Sequence, residues 1–99
     1  MARPINADND GGPFHANSEG TNLPQVKSTG VNYPFANLRT ADLTEANLTF
    51  ADLSGADLSG VDFAGANLTG VGFAGAIANE DTIWPEGLDP VAAGVTIAD

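Results

Sequence analysis

From Ala36 to Gly75 the chain is written in fives. A small residue, an Asp or Asn, a Leu or Phe and two further polar or small residues recur eight times without an insertion, from Ala36-Asn37-Leu38-Arg39-Thr40 to Val71-Gly72-Phe73-Ala74-Gly75. Five is the wrong period for a helix: at ~100° per residue, successive Leu positions step about 140° around the cylinder and leave no apolar face. It is equally wrong for one straight strand, where side chains alternate with period two and every second Leu would face water. Within a unit, though, the small residue and the Leu or Phe lie two apart, so a three-residue extended piece points both to one side. The other two residues must turn the corner. Gly55, Gly60, Gly65, Gly70 and Gly75 stand in the fifth position, where glycine adopts φ > 0 without a Cβ penalty. Thr40, Glu45 and Phe50 hold that position earlier, so corners of more than one turn type are expected.

Short sides with regular corners build a coil, and coils stacked about 4.8 Å apart let each backbone pair with those above and below. The expected object is an all-β solenoid. The pattern A-(D/N)-L-x-x resembles the pentapeptide-repeat proteins, strictly over these eight units and loosely backward through Val31-Asn32-Tyr33, Val26-Lys27-Ser28 and Thr21-Asn22-Leu23. The resemblance implies a right-handed, four-sided parallel β-helix with four repeats per coil, hence about three coils. Residues twenty apart then stack in columns: Leu23, Leu43 and Phe63; Ser28, Leu48 and Leu68; Tyr33, Leu53 and Phe73; Leu38, Leu58 and Ala78. Ala41, Ala46, Ala51, Ala56, Val61, Ala66 and Val71 fill the remaining interior positions. Ser28 breaks its column, either bonding a backbone carbonyl or marking where the first coil opens to water.

Three segments follow. Residues 1–15 have turn-forming composition without periodicity and read as a mobile or loosely docked leader. Residues 16–78 form the solenoid, regular from Ala36. Residues 79–99 bring the single Trp and two prolines, which cannot continue a central ladder. A terminal coil exposes its apolar lumen and an unpaired edge, so this segment is the expected cap, anchored by Ile83, Trp84 and Leu88, with the prolines preventing further strand addition. Its stretch from Trp84 to Gly94 resembles the endings of bacterial, especially cyanobacterial, pentapeptide-repeat chains. The alternative role for Trp84 is a ligand platform.

The chain has no cysteine, which removes disulfides and thiolate chemistry together. His15, the single histidine, lies in the leader with no nucleophile or carboxylate at a meaningful spacing. No stretch approaches a membrane span and the start lacks the apolar core of a secretory signal, so a cytoplasmic protein is expected. Neither catalytic residues nor a cofactor is assigned. Asp42, Asp52, Asp57 and Asp62 fall on the outer wall, where hydrogen bonding at a corner is their expected work. Asp42 and Asp62 stack one coil apart, a repulsion that a calcium ion would relieve, but Asn interleaves the neighbouring columns and no metal site is assigned.

Charge bounds the partners. Arg3, Lys27 and Arg39 balance Asp8, Asp10 and Glu19, so the whole net charge of -10 lies in residues 40–99, which have no basic residue. Nucleic acid and anionic membranes are disfavoured as direct partners. Two functions are carried forward: a non-catalytic module that binds an unknown protein partner, as a monomer or weak dimer, and a DNA mimic that binds gyrase, as some relatives do. Over residues 16–80 the acids outnumber the bases by a net -5. Across three coils that is roughly one charge per 3 Å, against one per ~1.7 Å in duplex DNA. The scaffold reading leads.

Overall fold

A computed structural model describes residues 34–98 and, before them, residues 19, 20, 22, 25, 27, 29, 30 and 32. The leader 1–15 and the first-coil interior positions Leu23, Ser28 and Tyr33 lie outside the described residues. The second residue of each unit bridges the equivalent residue twenty positions on, always in parallel: Asn22 to Asp42 to Asp62, Lys27 to Asn47 to Asn67, Asn32 to Asp52 to Gly72, and Asn37 to Asp57 to Ile77. Four such columns make a four-sided β-helix. These sides carry one bridging residue each; among the described residues only β1 (Ile77–Ala78) and β2 (Thr96–Ile97) pair over two.

Three backbone bonds tie each side from Ala36 to Gly55 to the coil above. On the second side, Leu48 N–H donates to Asn67 O at 2.9 Å, Asn67 N–H to Ala46 O at 2.8 Å and Phe50 N–H to Thr69 O at 2.8 Å. A fourth bond, Ala51 N–H to Leu48 O at 2.9 Å, closes the corner. The fifth residue of the unit is the third of that turn and takes positive φ, as in a type II turn.

Here the expectation of mixed corners is corrected. Thr40, Glu45 and Phe50 have φ of 61°, 58° and 63°, as Gln25 and Phe35 do at 63°, alongside 70–73° at Gly55, Gly60, Gly65, Gly70 and Gly75. The same left-handed φ serves each of these repeat corners. A non-glycine residue there costs about 1 kcal/mol, which the ladder bond from its own N–H to the next coil offsets.

The lumen is filled. Leu38, Leu43, Leu48, Leu53, Leu58, Val61 and Phe63 have no exposed surface, Phe73 almost none, and Ala36, Ala41, Ala46, Ala51, Ala56 and Ala76 lie between them. Ala66 and Leu68 are slightly more open and Val71 is only partly buried. All three lie near the C-terminal end, where coverage is incomplete.

The tail departs from the expectation in two places. Ile83 is half exposed and does not anchor a cap. It bridges Asp62 on the outer wall, at a separation of twenty-one instead of twenty, because one extra residue enters at the corner 79–81. The inward positions of that side are therefore Thr82 and Trp84. Thr82 is buried and its hydroxyl donates to Leu58 O at 2.8 Å, while Asn79 Oδ1 accepts from Gly60 N–H and Asp81 N–H, both at 3.0 Å, and so stitches the lengthened corner. Trp84 stacks on Phe63 with ring centroids 5.2 Å apart and meets Phe73 edge-on at 5.8 Å. Leu88 packs beside it against the core.

Nor do the prolines end the ladder. Beyond Pro85 and Pro90 the chain returns, Val95 is buried, and β2 pairs in parallel with β1, Ile77 with Thr96 and Ala78 with Ile97. The prolines sit in the excursion 84–94, where no ladder donor is required of them.

Corner glycines are crowded where an aromatic precedes them in the column. A Cβ on Gly55 would lie 2.5 Å from the Phe35 ring, and one on Gly70 2.5 Å from the Phe50 ring, whereas on Gly75 the nearest atom is Gly55 N at 4.0 Å. Gly55→Ala is expected to cost about 2–3 kcal/mol against about 1 for Gly75→Ala, which shares the φ but not the clash. Replacing Phe35 with Gly in the same chain should return Gly55→Ala to the lower figure. Chemical denaturation of the four variants checks this, and equal costs at Gly55 and Gly75 count against the stacking.

Candidate functional site

Because the lumen is filled, the outer walls and corners are the surfaces open to a partner. The walls are built from a repeated turn. The second residue of each unit turns its side-chain oxygen onto the residue two ahead: Asp42 Oδ1 accepts from Thr44 N–H at 3.1 Å and its hydroxyl at 2.8 Å, and Asp52 Oδ1 from Ser54 N–H at 3.0 Å and its hydroxyl at 2.6 Å. Asn47 does the same to Thr49, and Asn67 to the Thr69 N–H. Asp and Asn interchange here because each presents the same acceptor. Thr44, Thr49 and Ser54 are thus committed to the wall itself.

Those donors act on the carboxylates. The Ser54 hydroxyl, then its N–H, hold the Asp52 carboxyl below the usual value of 3.8. Burial pushes Asp57 up, but the Ser59 donors and the Arg39 guanidinium outweigh it and the net shift is downward. Arg39 lies between Asp57 at 3.5 Å and Glu19 at 4.0 Å, a half-exposed cluster of small energetic weight. A depressed folded pKa contributes stability that is complete above the unfolded value and disappears as pH falls through the folded one. The melting temperature is therefore expected to fall below about pH 4. The double substitution Asp52→Asn and Asp57→Asn keeps the backbone acceptor and should flatten that fall. Parallel melting curves for the two proteins from pH 5 to pH 2 would contradict the assignment.

Two features of the surface escaped the reading from sequence. Phe35 and Phe50 are 79% and 68% exposed. Each is at a corner with one edge against a glycine of the next coil. The sequence did carry a signal, a large apolar residue in a position otherwise held by Gly, Thr, Gln or Glu. The second feature is an open groove of about 670 Å³ between the wall 66–69 and the excursion 85–93. No pattern announces it, because it arises from a missing rung. Among the described residues no group of three or more His, Asp or Glu is placed to hold a metal ion, and no helix is long and apolar enough to cross a membrane.

With the geometry in place, the comparisons with known proteins identify the family. The model described as pentapeptide repeats (8 copies) matches residues 29–60 and 46–79, more than half of the chain. The chain is a pentapeptide-repeat protein. The fold of this pentapeptide-repeat protein is accordingly the right-handed β-helix. Among solved structures it is similar to alr5209, a pentapeptide repeat protein from Nostoc PCC 7120, at 29% identity and a TM-score of 0.55, covering 85% of this chain and 86% of that one. It is also similar to the pentapeptide repeat protein Rfr23 from the cyanobacterium Cyanothece 51142, at 30% identity and a TM-score of 0.49, over 72% of this chain and 46% of that one. The chain thus spans about half the length of Rfr23. No curated protein matches significantly.

Proposed function

We propose that this pentapeptide-repeat protein is a non-catalytic scaffold that binds a protein partner through its corner aromatics. The observation that carries the reading is the exposure of Phe35 and Phe50 at left-handed backbone positions, φ 63° in both. Each ring sits on a glycine and is held by a corner fixed through ladder bonds. Rigid, solvent-exposed aromatics lose little entropy on docking and are the side chains from which interface hot spots are made. The acidic, base-free half of the chain favours a partner with a basic surface.

The experiment is affinity capture from the native host with the wild-type chain and with Phe35→Thr and Phe50→Thr combined, threonine being the residue that holds the equivalent position of a neighbouring corner at Thr40. A protein retained by the wild type and lost by the variant, at unchanged circular dichroism, supports the reading. Identical capture by both, or none by either, removes it. The stack of Asp42 on Asp62 favours a second reading, mimicry of DNA toward gyrase. Absence of supercoiling inhibition at micromolar protein would eliminate that one.

A further inference from the structure

The β-helix ends on a step. Two columns continue past the last complete coil, Asp62 to Ile83 and Ile77 to Thr96, while the other two stop at Asn67 and Gly72. Over the Gly72 side the returning chain packs close, with a Cβ position on Gly94 only 3.6 Å from Ala74 Cα, and covers that edge without pairing with it. Over Asn67 it does not. Pro85 begins a turn, with Leu88 N–H on Pro85 O at 3.3 Å, and the chain passes outside the ladder position.

The consequence is visible in the backbone bonds. One coil below, the ladder uses Leu48 N–H, Phe50 N–H and Ala46 C=O. The equivalent groups of the upper coil are Leu68 N–H, Gly70 N–H and Ala66 C=O. Among the described residues none of these three meets a hydrogen-bonding partner. They form a ready-made edge of two donors and one acceptor, in the register that the coil below uses. Two of the three, Ala66 and Leu68, line the open groove of about 670 Å³, together with Glu86 and Asp89 of the excursion. That volume is in the range of ligand-binding clefts, and three extended residues span about 10 Å.

We infer that this edge takes an extended, basic segment of a protein partner as an added parallel strand, in the rung that the chain itself bypasses. Backbone bonds to Leu68, Gly70 and Ala66 supply the pairing. Alternation turns one side chain of the segment inward, stacked on Leu68, and its neighbours outward from the wall. Charge selects the occupant: Glu86 and Asp89 border the groove, and no basic residue lies in residues 40–99 to compete with the incoming one. A second copy of this chain would bring its own acidic half to the site. The inference shares with the scaffold reading only the premise of a protein partner, and it concerns a different surface.

The test is an amide-resolved NMR titration of the full chain with a blocked pentapeptide alternating valine and lysine. The expected result is saturable movement of the Leu68 and Gly70 amide signals. Binding should weaken at least tenfold when alternate peptide nitrogens are methylated, and at least threefold in Glu86→Lys. Three results overturn the inference: shifts spread over the walls with Leu68 and Gly70 unmoved, equal binding of the methylated peptide, or equal binding of a peptide alternating valine and glutamate. Peptide binding at residues 66–70 in the Phe35 and Phe50 double variant, unchanged from wild type, separates this site from the corners. Failure of either therefore leaves the other standing.

Discussion

Leu53→Asp is expected to abolish cooperative folding. Leu53 has no exposed surface and sits in the middle coil, with Phe73 one coil above. The neighbouring donors are already engaged: Leu53 N–H donates to Gly72 O at 2.8 Å and Gly55 N–H to Ala74 O at 2.9 Å on the ladder, Ala51 N–H closes the corner onto Leu48 O, and Ser54 N–H is held by Asp52 Oδ1. An unpaired carboxylate there costs several kcal/mol whether it stays charged or takes up a proton, a large part of the 5–15 kcal/mol that holds an ordinary domain together. The contrast is Thr49→Asp, the same charge on the outside of the neighbouring side. Its surroundings, Asn47 and Thr29, are neutral, and a cost within about 1 kcal/mol is expected. Circular dichroism melts of the two variants decide the matter. Comparable losses at both positions would mean that the wall has no inside.

Trp84→Ala should produce the next largest effect, about 3 kcal/mol, with self-association at high concentration. The ring covers Phe63 and Phe73, the last aromatics of two interior columns. Removing it opens the lumen to water at the end where two columns already stop, at Asn67 and Gly72. In a stack whose coils touch only their neighbours, loss at an end propagates inward. The companion substitution is Ile83→Thr. Ile83 contributes backbone bonds to Val61 and Phe63, but its side chain stands on the wall and is half exposed. A change within about 0.5 kcal/mol is expected there. Urea denaturation followed by far-ultraviolet circular dichroism compares the two, and a larger loss at Ile83 than at Trp84 would reverse the assignment of the cap.

The tail shows where a repeat stops being legible. Up to Ala78 the frame of five places Leu58, Phe63 and Phe73 without reference to anything outside the unit. At Asn79-Glu80-Asp81 one residue is added, and every later position changes face. Nothing local distinguishes the shifted frame: Ile83 is as apolar as Trp84, and which of the two points inward depends on Asn79 and Thr82 bonding Gly60 N–H and Leu58 O of the coil below. The return of Thr96–Ile97 to the ladder after two prolines is hidden for the same reason, since its partner is nineteen residues back.

Spacing within five residues determined which side chains face the lumen and which face water, because that choice needs only an extended triplet and a corner. The number of sides came from family resemblance, and the bridges twenty residues apart place it physically. Tertiary structure alone decided the uniform left-handed corners, the stacking of Phe35 on Gly55, the cap on Phe63 and the open edge at Leu68. Each of these is set by hydrogen bonds or contacts between coils, whose participants lie about twenty positions apart and have no signature in the local order of residues.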